Sequence, residues 1–267
     1  MFCFTMTHTN RFSLTLETLA KLASNVDTNH SAPLPVLPSL SSALSEFSPL
    51  PRAALFLGLA TDGLPILLNL LDPLPGPIMI VGDEGCGKTN FLQTISSAIN
   101  QIHSAEEVKY TVISDKTAEW NNIQRTNNCT DILFVREPSV VNYLRSIVDW
   151  AHSNKGNQQI TLLLIDHLES LLVVPETQQD LRWLLLRGPS RHVWPIATIN
   201  SSIAVSDLYR PLLDSFRTRL FGHIHDDNTT RILTGSSDYS LKHLAAGFQF
   251  AMREGNEWLP FWIPALD

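Results

Sequence analysis

A glycine-rich octapeptide between two apolar segments constrains the fold of this chain more than any other feature. Residues 82–89 fit the pattern G-x-x-x-x-G-K-[ST], which is found in phosphate-binding loops. Residues 78–81, just before it, form a short apolar run typical of a buried strand. Residues 90–102, just after it, have apolar side chains at helical spacing. A strand, a glycine loop and a helix in this order are the arrangement that such loops require.

The residue types of this loop suit the phosphates of a nucleotide. Glycines let successive backbone N–H groups point at phosphate oxygens, and the following helix adds the positive end of its dipole. Lys88 is predicted to reach the β- and γ-phosphates, and the hydroxyl of Thr89 to ligate Mg²⁺. The predicted nucleotide-binding residues of this segment are Gly82, Asp83, Glu84, Gly85, Cys86, Gly87, Lys88, Thr89 and Asn90. The alternative is a glycine-rich turn beside an ordinary surface lysine.

The composition is typical of a soluble globular protein in a reducing compartment. Hydrophobic residues make up 44% of the 267 residues and charged residues 17%. The net charge of −7 gives no overall electrostatic reason for nucleic-acid binding, although it is compatible with a local basic surface. The three cysteines, Cys3, Cys86 and Cys129, show no metal or disulfide spacing, which favours the cytoplasm. Neither a transmembrane span nor a signal peptide is expected.

Strand and helix patterns alternate along the chain. Two apolar runs around an Asp-Gly turn predict a β-hairpin over residues 53–70, and a second hairpin is predicted over residues 248–263. Other strands are predicted at residues 109–114, 131–135, 160–165, 193–199 and 219–225. Helices are predicted at residues 12–23, 40–47, 137–152, 178–186 and 205–213.

This order of elements predicts an α/β fold of the P-loop NTPase type. It implies a mainly parallel sheet with helices on both faces, plus N-terminal and C-terminal β-hairpins. Residues 1–50 are predicted to form a helical arm with a linker, since prolines are frequent in residues 29–39. Residues 51–267 are predicted to form the nucleotide-binding domain.

A second motif predicts the metal site. Residues 161–165 form an apolar strand that ends at Asp166, which is the Walker B arrangement. A carboxylate at that edge of the sheet is expected to hold Mg²⁺, directly or through water, beside Thr89. The alternative is a buried strand followed by an aspartate that caps a helix.

Hydrolysis also needs a group that orients or deprotonates the attacking water. Many P-loop ATPases place a glutamate directly after the Walker B aspartate, but His167 occupies that position here. Glu169, three residues after Asp166, is the preferred candidate for the base, and His167 is the second. Thr198 and Asn200 end the next strand, where a polar side chain can sense the γ-phosphate or position water. For each, an ordinary role at a helix or strand end is the alternative.

Taken together, these segments resemble the FtsK/HerA superfamily of P-loop pumping ATPases, which includes DNA translocases, conjugative coupling proteins and type VII secretion ATPases. The resemblance covers roughly residues 53–264. The similar segments are residues 57–65 before the loop, the loop itself, residues 113–119 with a D-x-K-like element, the strand ending at Asp166, the strand ending at Thr198, residues 215–220 and the closing hairpin. The sequence departs from the family in lacking a glutamate after Asp166 and a glutamine after Thr198.

The resemblance implies ATP as the nucleotide, a homo-oligomer in the form of a hexameric ring, and DNA as a candidate polymer. It also implies that an arginine from one subunit completes the neighbour's site. Arg219 matches that position, with Arg217 nearby, and two surface arginines are the alternative. The predicted catalytic set is therefore Lys88, Asp166, Glu169 and Arg219.

Three functions fit the sequence. The first is an ATP-driven motor that moves a polymer, most plausibly DNA. The second is a nucleotide-gated assembly or regulatory module with weak or no hydrolysis, which the histidine after Asp166 favours. The third is a secretion ATPase whose client is a protein, and the N-terminal arm is a candidate for docking a protein partner.

Two further groups of residues have a possible function in metal binding or base stacking, with ordinary packing as the alternative. His223 and His225 alternate on one predicted strand and lack an evident third metal ligand, so an ordinary strand is favoured. Four tryptophans have aromatic faces that can stack on bases, but their apolar neighbours favour packing. They are Trp183, Trp194, Trp258 and Trp262.

Overall fold

A computed structural model describes residues 37–123, 126–154, 159–236 and 238–267. The helix predicted at residues 12–23 and most of the predicted N-terminal arm lie outside these residues. The strands of the described residues are β1 (Ala54–Ala60), β2 (Pro65–Asn69), β3 (Ile78–Gly82), β4 (Val108–Ser114), β5 (Cys129–Phe134), β6 (Ile160–Ile165), β7 (Val193–Asn200), β8 (Thr218–Phe221), β9 (Gln249–Glu254) and β10 (Glu257–Trp262). The α-helices are α1 (Leu40–Glu46), α2 (Lys88–Ile102), α3 (Pro138–Ser153), α4 (Leu168–Leu172), α5 (Pro175–Arg187), α6 (Ser201–Ala204), α7 (Arg210–Leu213) and α8 (Asp227–Thr234).

All of these strands belong to one sheet with two differently built halves. The strand order is β2-β1-β10-β9-β8-β3-β7-β6-β4-β5. From β8 to β5 every neighbouring pair is parallel. From β2 to β8 every pair is antiparallel, because the two predicted hairpins add their strands side by side. The predicted α/β fold, with a parallel sheet extended by hairpins, is confirmed.

The alternation of side chains along β3 shows why the sheet needs helices on both faces. Met79 and Val81 belong to a core that includes residues of α3 and α5. Ile78 and Ile80 belong to a second core on the other face, which includes the apolar side of α2. Successive side chains of a strand point to opposite faces, so a strand that is apolar throughout must be covered on both.

Helix α1 packs on the domain even though it belongs to the predicted arm. Leu40 and Leu44 lie in a small core with Phe56 of β1 and Ala98 of α2. The N–H of Leu40 also donates to the carbonyl oxygen of Ala265 at 2.8 Å. The division of the chain at residue 50 stays a prediction.

Two element predictions differ from the structure. Of the helix predicted at residues 205–213, only α7 is helical, while residues 205–209 connect it to α6. Pro211 lies at the start of α7, where its missing N–H costs no hydrogen bond. The strand predicted at residues 219–225 ends at Phe221, after which the chain passes beside the glycine loop and the carbonyl of His223 accepts from Asp83 N–H. Helices α6 and α8 were not predicted, and a helix at the position of α4 was part only of the alternative in which Asp166 caps it. No helix of the described residues combines the length and apolarity needed to cross a bilayer.

The packing of α1 generates a stability prediction. Leu40 is fully buried, so Leu40→Ala should lower the free energy of unfolding by about 2–5 kcal/mol through lost contacts and a cavity. The same substitution at Leu208, which is 76% exposed, should change it by less than about 0.5 kcal/mol. Chemical denaturation of both variants measures the difference. Equal effects would show that α1 contributes nothing to the stability of the domain.

Candidate nucleotide-binding site

The carboxyl edge of the parallel half of the sheet brings the two motifs together. The strand β7 lies between β3, which leads into the glycine loop, and β6, which leads to Asp166. Ile80 pairs with Thr198, and Ile165 pairs with Ala197, so the ends of the three strands meet at one edge. Polar groups at such an edge form the usual binding crevice of an open α/β sheet.

The glycine loop has a backbone that only glycine accommodates at its last position. Gly87, which precedes α2, has φ 95°, in the left-handed region that other residues rarely adopt. A Cβ at Gly87 would also lie 2.4 Å from the carbonyl oxygen of Gly247. The Gly247 N–H donates to the carbonyl of Cys86 at 3.1 Å, and the Asn90 amide donates to the carbonyl of Gly247 at 3.3 Å. The segment before β9 therefore lies directly against the loop.

Asp83, near the start of the loop, hydrogen-bonds to two other segments of the chain. Its carboxylate accepts hydrogen bonds from the hydroxyl of Ser201 and, at 2.8 Å, from the backbone N–H of His225. Its own N–H donates to the carbonyl oxygen of His223 at 2.9 Å. Asp83 thus connects the loop to α6 and to the chain that follows β8, while Glu84 and Gly85 are exposed.

Lys88 is a buried cation without a carboxylate partner. It is only 7% exposed, and its ammonium donates to the carbonyl oxygens of Gly82 (2.9 Å) and Asp83 (2.7 Å). Its third close neighbour is the sulfur of Cys86, at 3.9 Å. Among the described residues no carboxylate oxygen lies within ion-pair distance of Lys88. Burial without an opposite charge is costly for a cation, so this position favours an anionic ligand.

The thiol of Cys86 is unsuited to ionisation. Its pKa is raised because it is buried, and the nearby charge of Lys88 only partly offsets that effect. Cys86 is therefore a small apolar wall of the loop and not a thiolate that neutralises Lys88.

Asp166 is the hub of the site. It is 1% exposed and follows β6 directly. Its carboxylate accepts from the hydroxyl of Thr89 at 3.0 and 3.2 Å and from the hydroxyl of Thr198 at 3.0 Å. The hydroxyl of Ser114, at the end of β4, lies 3.5 Å away. The structure thus brings Thr89, Asp166 and Thr198 together, at the loop that also holds Lys88.

The residue after Asp166 has an unusual backbone. His167 has φ 63°, and its N–H donates to the Thr198 hydroxyl at 2.8 Å. Its ring Nδ1 lies 2.9 Å from a carboxylate oxygen of Asp115, the residue after β4. The other oxygen of Asp115 accepts from the Ser170 hydroxyl at 2.9 Å. These contacts form a second polar cluster, Asp115–His167–Ser170, beside Asp166.

Two of the predicted catalytic residues, Glu169 and Arg219, make no hydrogen bond to Asp166. Glu169 lies in the first turn of α4, and one of its carboxylate oxygens is buried with no hydrogen-bond partner among the described residues. Arg219 pairs with Met79 in the sheet, three residues before the end of β3 and thus about 10 Å from the level of the loop. Its guanidinium bonds to Asp214 at 3.1 Å. Among the described residues, neither Glu169 nor Arg219 hydrogen-bonds to Lys88, Thr89, Asp166 or Thr198.

The histidines and tryptophans set aside in the sequence have packing contacts. Both histidines lie beyond the end of β8, and Nδ1 of His223 is 3.1 Å from the carbonyl of Leu244. Among the described residues no group of three or more His, Cys, Asp or Glu side chains is placed to hold a metal ion. Trp194 is fully buried, and Trp258 stacks on Tyr239.

The donor set of the hub fits Mg²⁺ and the phosphates of a nucleotide. Mg²⁺ prefers oxygen ligands and is usually held by one or two protein groups together with phosphate oxygens and water. The Thr89 hydroxyl and the Asp166 carboxylate are such ligands, and Lys88 and the loop N–H groups suit phosphate oxygens.

Sequence reasoning missed several residues of this site. The connections from Asp83 to Ser201 and His225, and from Cys86 and Asn90 to Gly247, join segments more than a hundred residues apart. The only signal for Gly247 was a glycine just before the predicted C-terminal hairpin. Asp115 had been identified as part of a D-x-K-like element, but its contact with His167 had no sequence signal.

No protein-family model and no curated protein matches this sequence. Solved structures do match it. The chain is similar to EccC of Thermomonospora curvata (ATPases 2 and 3, in complex with a signal sequence peptide), with a TM-score of 0.71 and 15% identity over 96% of this chain and 48% of that one. It is similar to EssC of Geobacillus thermodenitrificans (ATPases 2 and 3), with a TM-score of 0.65 and 13% identity over 81% of this chain and 47% of that one.

A third similar structure is the pCW3 conjugation coupling protein TcpA, in a monomer form with ATPγS, with a TM-score of 0.64 and 13% identity over 86% of this chain and 70% of that one. The chain spans less than half the length of the EccC and EssC chains that it matches. At this identity the comparison concerns the fold. The described part of the chain has the P-loop NTPase fold that these structures share.

Proposed function

We propose that this protein binds Mg·ATP at the glycine loop and hydrolyses it to drive the movement of a polymer, with DNA as the first candidate. The observation that carries the proposal is the burial of Lys88 without an acidic partner, next to a hub that offers oxygen ligands for Mg²⁺. A buried ammonium bonded only to neutral carbonyls is stabilised further by phosphate oxygens. The fold shared with secretion and conjugation ATPases supports the same conclusion.

Each residue of the site has a proposed role in that reaction. Lys88 and the loop N–H groups bind and orient the phosphates, and Thr89 and Asp166 hold the metal. Thr198 keeps the Asp166 carboxylate in place through its hydroxyl. When bound, Mg²⁺ neutralises charge on the phosphates. Glu169 and His167 are the two candidates for the group that acts on the attacking water.

Arg219 is proposed to act on the site of a neighbouring copy in a homo-oligomeric ring. It lies about 10 Å from the level of its own loop, and its guanidinium is held by Asp214, so it does not serve that loop. An arginine that completes a site in trans must lie away from the site of its own chain.

A nucleotide-gated module with little turnover is the second candidate function. It is favoured by the histidine after Asp166, whose ring is already hydrogen-bonded to Asp115. In that case ATP would act as a ligand that stabilises one assembly state.

Steady-state phosphate release with Mg·ATP separates these functions. The motor predicts turnover that rises with duplex DNA. Turnover that rises with a peptide but not with DNA would indicate a secretion ATPase. ATP binding without phosphate release would contradict the motor and support the gated module.

Removing the buried charge of Lys88 should weaken nucleotide binding. Lys88→Ala should weaken ATP binding by about 10–100-fold, because a charge-assisted hydrogen bond contributes about 1.5–3 kcal/mol. Lys109→Ala is the matched control, because Lys109 lies near the amino-terminal end of β4, at the end of the strands away from the loop. This variant should bind ATP as the wild type does. Isothermal titration calorimetry measures both. Unchanged binding by Lys88→Ala would refute the assigned role of the loop.

A mixing experiment tests the trans role of Arg219. Lys88→Ala and Arg219→Ala should each be inactive alone. A mixture should regain phosphate release, because a ring can then contain an intact loop beside an intact Arg219. If the mixture stays as inactive as its components, Arg219 does not act in trans.

A further inference from the structure

We propose that the pair Asp115–His167 orients the attacking water, with His167 as the residue that contacts it. This inference rests on the proposed ATPase function and decides between the two candidates that the sequence left open. It follows from how the ring of His167 is held and from which of its nitrogens remains available.

The backbone of His167 is fixed beside the metal-binding hub. Its left-handed φ of 63° is uncommon for a residue with a side chain, and such conformations persist where the surroundings over-determine them. Here the N–H of His167 donates to the Thr198 hydroxyl, which in turn donates to Asp166. The backbone of His167 is thereby held in a fixed orientation relative to the carboxylate of Asp166.

The ring of His167 is fixed by Asp115. A carboxylate accepts hydrogen bonds, so the contact of 2.9 Å places a proton on Nδ1 and favours the tautomer in which Nε2 is the acceptor. The other oxygen of Asp115 is occupied by Ser170, which holds the carboxylate plane in place. A histidine oriented through Nδ1 by a carboxylate presents Nε2 as a hydrogen-bond acceptor, as in hydrolases that activate a nucleophile.

Nε2 is available for a ligand. No group of the described residues hydrogen-bonds to it, and the side chain is 21% exposed, so the ring reaches solvent. Nδ1 lies 4.0 Å from an Asp166 oxygen, which places the ring next to the hub. Glu169 has none of these features, because its carboxylate has no hydrogen bond that orients it and one of its oxygens is buried.

The reaction balances without the transfer of a proton to His167. Nε2 accepts a hydrogen bond from the water, whose oxygen bonds to the terminal phosphorus. The bond between that phosphorus and the bridging oxygen breaks, and the nucleoside diphosphate leaves with the electron pair. Both protons of the water remain on the inorganic phosphate, which is released as dihydrogen phosphate. His167 thus orients the nucleophile, and Asp115 is a positioning residue that acts through it.

The tautomer of His167 provides a test that does not depend on activity. In the full chain labelled with ¹⁵N-histidine, the His167 signal, assigned by its loss in His167→Gln, should show a proton on Nδ1. Asp115→Asn should abolish this preference, because an amide oxygen and an amide N–H can each pair with the ring. A proton on Nε2 in the wild type would overturn the inference.

Kinetics and binding provide the second test. His167→Ala should lower the turnover number by about 100-fold, and His167→Gln by less, because its amide oxygen can still accept from water. Neither should change the Kd for ATP by more than about threefold, since the water contributes to the chemical step and not to nucleotide binding. His243→Gln, at an exposed histidine, is the matched control and should behave as the wild type does.

The outcomes separate this inference from the proposed function. Wild-type turnover that survives in His167→Ala but is lost in Glu169→Gln would overturn the inference and leave the ATPase intact. A wild-type chain that binds ATP but releases no more phosphate than Lys88→Ala would overturn both the inference and hydrolysis.

Discussion

The carboxylate of Asp166 is the interaction on which the rest of the site depends. It is almost fully buried, and a charge in that position is tolerated only where donors surround it. Those donors are Thr89 at the start of α2 and Thr198 on β7. One carboxylate thereby joins the helix after the glycine loop to the strand beside it. Any change in the register of β3, β7 and β6 would separate these groups, since a slip of one residue turns each side chain to the other face.

The C-terminal hairpin extends the sheet beyond β8 and brings a segment of the chain against the glycine loop. The strand β3 has β7 on one side and β8 on the other, and β8 pairs on its far side with β9 of the C-terminal hairpin. The segment that enters this hairpin contains Gly247, which contacts the glycine loop at Cys86 and approaches Gly87 closely. The antiparallel half of the sheet therefore also shapes the site, because the segment that leads into β9 forms one wall of the glycine loop. The strand β3, which leads into the loop, thus lies near the centre of the sheet.

Local signals allowed the sequence to predict most elements, while contacts between distant segments escaped it. The β3–loop–α2 unit could be predicted because its strand run, glycines and helical period are contiguous, and the same holds for β6 and Asp166. The contact between Asp115 and His167 depends on the pairing of β4 with β6, which brings together residues 52 positions apart. The helix predicted at residues 205–213 was wrong over residues 205–209, because an apolar spacing does not show where a turn ends and the helix begins. The position of Arg219 relative to a neighbouring copy is a property of the assembly, so it stays a prediction.

The central claim is that a buried cation and a buried carboxylate at one sheet edge together hold a metal–nucleotide complex. Its most direct test is calorimetric titration of the wild type with ATP in Mg²⁺ and in EDTA, repeated with Asp166→Asn. Mg²⁺ should strengthen ATP binding to the wild type, and Asp166→Asn should lose most of this difference. Binding that is equally strong with and without Mg²⁺, or the absence of binding in both, would contradict it.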